Sequence, residues 1–232
     1  MQQIPDKSID MILCDLPYGT TQNKWDTIIP LNPLWRQYER IVKDNGAIVL
    51  TGCQPFTSQL IMSNPKLYRY ELIWQKTTAT GHLNAKKMPM RAHENILVFY
   101  KKLPTYNPQM TTGHKRKIST ARHKRNSKKS TNYNDYELSS YDSAERYPRS
   151  VMTYATDKQK SVIHPTQKPV ALFEYLIKTY TNEGEVVFDG CSGSGTTAVA
   201  AINTNRKFLC MEKEKEYFDK SVERIMKAGD SL

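Results

Sequence analysis

The stretch "VVFDGCSGSGTTAVAA" (residues 186–201) passes from an apolar run through an acid and three glycines into an alanine-rich segment. The apolar run is typical of a buried strand, and the alanine-rich segment is typical of a helix. Gly190, Gly193 and Gly195 permit positive φ angles and close approach of a ligand, and a helix N-terminus presents free N–H groups. This order of elements predicts a ligand-binding turn in an α/β domain.

The spacing of the glycines discriminates between ligands. It matches the P-loop pattern except that Thr196 replaces the lysine that reaches the β- and γ-phosphates, so we do not expect nucleotide hydrolysis. The order G-x-x-G-x-G also departs from the dinucleotide fingerprint. Glu212 ends the next predicted strand, about where an acid binds ribose hydroxyls in nucleotide-binding units, although an ordinary surface acid is an equal alternative in this charged run. The loop favours an adenosine-bearing ligand without a phosphate chain.

Strands and helices are predicted to alternate on both sides of a polar interruption. Apolar runs predict strands at 9–14, 47–52, 68–76, 94–102, 185–190 and 207–213. Amphipathic periods predict helices at 31–46 and 169–184, and further helices are predicted at 55–64, 196–205 and 215–229. We expect Gly46 to stop the first helix, and residues 77–93 to form a long loop. The alternation is typical of right-handed crossover units in a largely parallel α/β sheet.

The interruption, residues 103–161, is polar, basic and aromatic. Residues 111–130 contain eight Lys or Arg and no acid, so this block carries most of the net charge of +11. A solvated, disordered segment is one interpretation of such a block. The Tyr and Asn residues in its flanks favour polyanion binding instead. We predict one domain made of residues 1–102 and 162–232, interrupted by an insertion at 103–161.

The cysteine pattern and the absence of long apolar runs indicate the compartment. The cysteines are Cys14, Cys53, Cys191 and Cys210. None of them forms a CxxC pair, which favours core thiols in a reducing compartment over a disulfide framework or a metal site. No run approaches the ~20 apolar residues of a membrane span, and no signal-peptide pattern opens the chain. We therefore expect a cytoplasmic protein with no metal and no membrane partner.

The motif "CDLPYG" (residues 14–19) follows the apolar run "IDMIL" and places Asp15 where a strand ends. Ligands of open α/β sheets bind at this edge. From the motif alone, Asp15 is equally well interpreted as the cap of a turn on which Tyr18 packs. The other motifs of the chain decide between these interpretations.

Three motifs together resemble the β-class amino-methyltransferases of DNA, which use S-adenosylmethionine. They are "DLPYG" at 15–19, "HPTQKP" at 164–169 and "FDGCSGSGTT" at 188–197. In that family the catalytic D/N/S-x-P-Y motif comes first, a target-recognition region follows and the cofactor motifs come last, as here. The resemblance covers nearly all of the chain except the insertion. It implies a three-layer Rossmann-like methyltransferase sheet, mostly parallel with an antiparallel strand, interrupted by the polar basic insertion.

The resemblance implies a role for each matching position. Asp15 and the carbonyl of Leu16 would hold the target amine, Pro17 would stiffen the turn, and Tyr18 would stack on the base. The cofactor would be bound by Asp189, Ser192, Gly193, Ser194, Gly195, Thr196, Thr197, Glu212, Thr166, Gln167 and Lys168. In the insertion, the predicted phosphate contacts are Lys115, Arg116, Lys117, Arg122, Lys124 and Arg125.

The activity implied by the resemblance is methyl transfer to N6 of an adenine swung out of double-stranded DNA. The acid at Asp15 favours adenine, because the family's cytosine-N4 enzymes mostly carry Ser there; cytosine-N4 transfer is the alternative. We expect a monomer or homodimer from a bacterial restriction–modification system or a phage. A DNA-binding module with a decayed cofactor site, and a transferase acting on RNA or a protein amine, are the competing hypotheses. Carbon-5 methylation through Cys53 is disfavoured, since the usual Pro-Cys dipeptide is absent.

Three features depart from the family pattern. Leu16 replaces the first Pro of the common DPPY form, which reduces turn rigidity more than chemistry if the role is that of a backbone carbonyl. Gly190 and Cys191 stand where relatives have Pro and Phe, so we expect different packing under the cofactor. Relatives also begin with a further strand and a Gly-Asp element, and this sequence starts too late to contain them. A truncated N-terminus or a missing edge strand would account for this.

Overall fold

The computed structural model describes residues 1–23, 25–122, 139–156 and 167–230. The chain divides into two compact units, a large one formed by Met1–Asn107 with Ser150–Leu232 and a small one formed by Pro108–Arg149. The strands, in chain order, are β1 (Ile9–Cys14), β2 (Val42–Gly52), β3 (Tyr68–Thr80), β4 (Arg91–Phe99), β5 (Lys117–Ser119), β6 (Tyr141–Ser143), β7 (Val151–Tyr154), β8 (Val186–Asp189) and β9 (Lys207–Cys210). The helices are α1 (Leu31–Ile41), α2 (Phe56–Ser63), α3 (Val170–Tyr180), α4 (Thr196–Asn203) and α5 (Lys215–Gly229).

The described strands of the large unit form a seven-stranded sheet in the order β7-β3-β4-β2-β1-β8-β9. Neighbours are parallel except at β4, which is antiparallel to both β2 and β3. The predicted α/β sheet, mostly parallel with an antiparallel strand, is therefore confirmed. Because β1 and β8 are parallel neighbours, with Ile12 beside Phe188, the segments that follow them lie at the same edge of the sheet.

Helices cover both faces of the sheet. On one face Trp35 and Tyr38 of α1 and Phe56 of α2 join a buried cluster with Ile12 of β1. On the other face α3 and α4 pack over Met11 and the residues around it. A strand whose two faces are both buried needs apolar side chains on both, which is why "IDMILC" does not alternate with polar residues.

Gly46 has a different role from the one predicted. Helix α1 ends at Ile41, and Gly46 lies inside β2, so its prediction as a helix stop was wrong. The pairing of β1 with β2 shifts register here, and a Cβ added at Gly46 would lie 2.7 Å from the carbonyl oxygen of Asp10. A side chain would push the strands apart, so the glycine is needed for close approach of the two backbones.

Two further boundaries differ from the predicted ones. Thr80 pairs with Arg91, so β3 and β4 extend into the predicted loop 77–93 and leave a shorter hairpin connection. Strand β7 falls within the predicted interruption 103–161 but pairs in parallel with β3 and belongs to the large sheet. Its four residues are too few to show a hydrophobic period, so local sequence carries little signal for it.

The small unit contains the antiparallel pair of β5 and β6. A bridge joins Thr111 to Arg146, and the Arg146 guanidinium donates to the carbonyl oxygens of Ser143 and Lys115. This one side chain therefore connects several backbone segments of a short, polar unit. In neither unit do the described residues include a helix with the length and apolar character needed to cross a bilayer.

Candidate active site

A cleft of about 760 Å³ opens beyond the carboxyl ends of β1 and β8. It is lined by most of the predicted site residues, namely Asp15, Leu16, Pro17, Tyr18, Gln167, Lys168, Asp189, Ser192, Gly193, Ser194, Thr196, Thr197 and Glu212. Gly195 is not among the lining residues. Thr166, Lys124 and Arg125, which were also predicted, lie outside the described residues.

Asp15, the residue after β1, has a hydrogen-bond partner on each carboxylate oxygen. Oδ1 accepts from the Tyr18 hydroxyl at 2.7 Å and from the Thr51 hydroxyl, which stands near the end of β2. Oδ2 accepts from Nζ of Lys168 at 2.6 Å. The carboxylate is therefore fixed in orientation by three side chains from three parts of the chain.

Tyr18 presents its ring and its hydroxyl to different neighbours. The ring stacks on Phe56 of α2, with centroids 5.3 Å apart, and Nζ of Lys168 lies over the Tyr18 ring, 5.4 Å from its centroid. Burial raises the pKa of Tyr18 well above its ordinary value, and the nearby Asp15 carboxylate raises it further. Tyr18 is thus a neutral, oriented aromatic side chain beside the carboxylate.

Lys168 links Asp15 to Glu94, a second partly buried acid at the same edge. Its Nζ lies 3.3 Å from Oε2 of Glu94, and Oε1 of Glu94 is 2.6 Å from Nζ of Lys76. Burial lowers the pKa of Lys168, but Asp15 and Glu94 outweigh it and the net shift is upward. Burial raises the pKa of Glu94, and the two lysines lower it by more. Lys168 and Glu94 are therefore both ionised at neutral pH, as expected when charged groups removed from water are paired.

The glycine loop is attached to the end of β8 through Asp189. Asp189 is 2% exposed, accepts the backbone N–H of Cys191 at 3.0 Å and accepts the Thr197 hydroxyl at 2.5 Å. Burial raises the pKa of Asp189 to about 6, and these hydrogen bonds oppose the rise. Asp189 thereby connects the first and last parts of the loop from within the core.

Glu212 and Arg224 hold the loop from the other side. The backbone N–H of Gly193 donates to Oε2 of Glu212 at 2.7 Å, and the backbone N–H of Glu214 donates to its Oε1. Arg224 of α5 donates to the carbonyl oxygen of Ser194 at 3.0 Å. Glu212 was predicted to bind ribose hydroxyls; it lines the cleft, and its carboxylate also contacts backbone N–H groups of the loop.

Gly195 shapes the loop instead of touching the cleft. Its φ is +75°, and an added Cβ would lie 3.1 Å from Cβ of Ser221 and 3.3 Å from Cδ1 of Ile225 in α5. A positive φ and the proximity of a helix both favour glycine at this position. Glycine here therefore allows the loop to turn tightly against α5.

The cleft has an open acceptor that fits a ligand donor. Gln167 is 5% exposed, and among the described residues its Oε1 has no hydrogen-bond partner. An unsatisfied buried amide oxygen is costly unless a bound group donates to it. Gln167, Ser192 and Thr196 are among the polar residues that line the cleft, and polar groups of this kind suit a ligand that bears an amino acid and a nucleoside.

Several residues that shape the site were missed from sequence. Strand pairing brings Thr51, Glu94 and Lys76 to the site, and no local sequence motif predicts this. Asp26 accepts hydrogen bonds from three backbone N–H groups of the segment after Tyr18. The sequence feature that could have drawn attention to Asp26 is the dipeptide "WD" at 25–26. The ring of Trp25 packs edge-on against Tyr217 of α5, with centroids 6.5 Å apart, and both rings line the cleft.

The small unit contains the described members of the predicted phosphate-binding set. The Arg116 guanidinium makes two hydrogen bonds of 2.7 Å to Asp142, so its donors are partly engaged within the unit. Lys115, Lys117 and Arg122 are exposed. No cluster of His, Cys, Asp or Glu in the described ranges could hold a metal ion, and the cysteines are free thiols.

Known proteins resemble this chain over nearly its whole length. The DNA adenine methyltransferase YhdJ of Escherichia coli (strain K12) is 26% identical over 97% of this chain and 79% of that protein. The Type II methyltransferase M2.LlaDCHI of Lactococcus lactis subsp. cremoris is 26% identical over 99% and 86%.

Solved structures share the fold. The M1.HpyAVI–SAM complex superposes with a TM-score of 0.63 at 24% identity, covering 96% of this chain and 90% of that one. The cytosine-N4-specific PvuII DNA methyltransferase superposes with a TM-score of 0.67 at 14% identity, covering 99% and 87%. The family model described as DNA methylase matches residues 9–223. The chain therefore belongs to the DNA methylase family, as its three motifs predicted.

Proposed function

We propose that this protein transfers a methyl group from S-adenosylmethionine to the N6 amine of an adenine in DNA. The observation that carries the proposal is the meeting of Asp15 and the glycine loop in one cleft, at the ends of the adjacent strands β1 and β8. A hydrogen-bond acceptor for an amine thus faces a loop suited to an adenosine-bearing cofactor. A relative named as a DNA adenine methyltransferase supports the choice of adenine.

The exocyclic amine of adenine is a poor nucleophile, because its lone pair is delocalised into the ring. Asp15 accepts one N–H of this amine and the Leu16 carbonyl accepts the other, which draws the nitrogen toward a tetrahedral shape and localises its lone pair. When bound, S-adenosylmethionine supplies a methyl group activated by the attached sulfonium. The rate is explained by the alignment of the two reactants and by the Asp15 carboxylate, which stabilises the charge that develops on the amine.

An adenine within a duplex cannot reach Asp15, so it must swing out of the stack at a cost of a few kcal/mol. The Tyr18 ring, already stacked on Phe56, offers an aromatic surface that returns part of this cost. Exposed basic residues of the small unit, among them Lys115 and Lys117, provide phosphate contacts. Double-stranded DNA is accordingly the proposed substrate.

A labelled-methyl assay tests the proposal. Purified protein is incubated with S-adenosylmethionine labelled in its methyl group and with unmethylated duplex DNA, single-stranded DNA, RNA or a protein mixture. We expect label in duplex DNA, recovered as N6-methyladenine after digestion to nucleosides. N4-methylcytosine, or label only in RNA or protein, would contradict the proposal.

Asp15→Ala should abolish methyl transfer and change the affinity for the cofactor by less than about threefold. An active Asp15→Ala variant would refute the role of Asp15.

A further inference from the structure

We infer that Lys168 is a positioning residue that occupies the place of the target amine on Asp15 until the base enters, and that Glu94 then receives its ammonium. This inference rests on the proposed function. It adds two residues to the reaction, neither of which would touch the transferred methyl group. It also assigns a role to the charged contacts around the buried Lys168, which methyl transfer alone does not explain.

The ammonium of Lys168 already makes the contacts proposed for the substrate. It donates to Oδ2 of Asp15 at 2.6 Å and lies over the Tyr18 ring. A base stacked on Tyr18 with its amine on Asp15 would compete for both positions. With Oδ1 engaged by Tyr18 and Thr51, Oδ2 is the oxygen that the incoming amine must share or take over. Because a base stacked on Tyr18 would also displace the ammonium over that ring, we expect Lys168 to withdraw as the base enters.

Glu94 provides the place to which Lys168 can withdraw. Oε2 of Glu94 is buried and has no hydrogen-bond partner among the described residues, although Nζ of Lys168 is only 3.3 Å away. A small rotation of the lysine side chain would shorten that contact to a charge-assisted hydrogen bond as the Asp15 contact breaks. The lysine is 6% exposed, so without this second acceptor its ammonium would be buried and unpaired.

The exchange raises the number of strong hydrogen bonds among these groups from one to two. Before entry, Lys168 satisfies Asp15 and Glu94 Oε2 is open; after entry, the amine satisfies Asp15 and Lys168 satisfies Glu94. A ligand that offers no N–H toward Asp15 cannot replace the ammonium there, because the carboxylate would lose its donor. Lys168 and Glu94 would thus favour bases with an exocyclic amine.

Two variants and their combination test the exchange with the full chain and unmethylated plasmid DNA. Glu94→Gln removes the charge of the receiving acceptor, so we expect kcat/KM for DNA to fall about tenfold or more while the Kd for S-adenosylmethionine changes less than about threefold. In a Lys168→Met background, which has no ammonium to move, the same Glu94 substitution should change kcat/KM less than about twofold. Melting temperatures establish that each variant is folded.

The outcomes distinguish a failure of this inference from a failure of the proposed function. A wild-type protein that does not methylate DNA refutes the proposed function. If the wild type is active, the exchange is refuted when Glu94→Gln is equally active, or when this substitution costs as much in the Lys168→Met background as in the wild type. If Lys168→Met is inactive, the exchange is tested by a crystal structure of the wild type with duplex DNA and a non-reactive amine analogue of the cofactor. We expect Lys168 on Glu94 there; Lys168 still on Asp15 would overturn the inference.

Discussion

Thr21 donates its backbone N–H to the carboxylate of Asp26 across 2.7 Å. Gly19 and Thr20 donate to the same carboxylate at 2.9 Å, so three consecutive N–H groups directly after Tyr18 converge on one buried acid. Burial raises the pKa of Asp26, but these hydrogen bonds lower it by more and the net shift is downward. Asp26 therefore holds the segment that follows the proposed catalytic motif, although it is not part of that motif.

Asp26→Ala is expected to lower the free energy of unfolding by about 1–3 kcal/mol, because it leaves the three N–H groups without their acceptor. Methyl transfer should fall as well, since Tyr18 is next to the released segment. The wild-type advantage over Asp26→Asn should be present above about pH 4 and shrink as the pH falls through the lowered pKa. Urea unfolding at several pH values measures both effects; a pH-independent difference would contradict the charge-based explanation.

Gly195→Ala is expected to destabilise the protein more than Gly184→Ala. Both glycines have a positive φ, +75° and +80°, but an added Cβ contacts Ser221 and Ile225 at Gly195 and meets nothing within 4 Å at Gly184. The control variant should cost about 1–2 kcal/mol for backbone strain alone. Gly195→Ala should cost about 1–3 kcal/mol more and weaken cofactor binding. Calorimetric titration and urea unfolding measure these effects; equal losses in the two variants would show that packing against α5 is unimportant.

Asp189 should make the wild type less stable as the pH rises. Burial raises the pKa of Asp189 in the folded state to about 6, above its value in the unfolded state. Its contribution to the free energy of unfolding is therefore fully present below about pH 4 and is lost as the pH rises through 6. Relative to Asp189→Asn, the wild type should lose up to about 3 kcal/mol between about pH 4 and pH 7. Unfolding curves of both proteins across this range test the sign; parallel pH profiles would mean that Asp189 titrates alike in the folded and unfolded states.

The exposed basic residues of the small unit should set the salt dependence of DNA binding. Replacing Lys115, Lys117 and Arg122 with Gln should reduce the slope of log K against log salt by up to about 3 and weaken binding to all sequences alike. Arg116→Gln is the matched control, because its guanidinium is paired with Asp142 and should contribute less than about 1 to the slope. Fluorescence anisotropy over a salt series measures the slopes. A change in the methylated sequence with an unchanged slope would mean that these residues read bases.

Local sequence determined most of the elements and the edge of the sheet at which the cleft lies. The apolar runs before Asp15 and Asp189 predicted two buried strands, each ending in an acid, and both acids line the cleft. The spacing of the glycines and the helix after them predicted the cofactor loop. These features follow from steric limits, hydrophobic periodicity and backbone hydrogen bonding, which act over a few residues and are therefore written in short stretches of sequence.

Only the tertiary structure decided which charges meet. Lys168 is 153 positions from Asp15, yet its ammonium lies 2.6 Å from the Asp15 carboxylate, and Glu94 joins them from the antiparallel strand β4. Gly46 likewise shows its role only where β2 approaches β1. Contacts of this kind depend on strand order and on how buried charges find partners after the sheet has formed, and no local spacing in the chain specifies either.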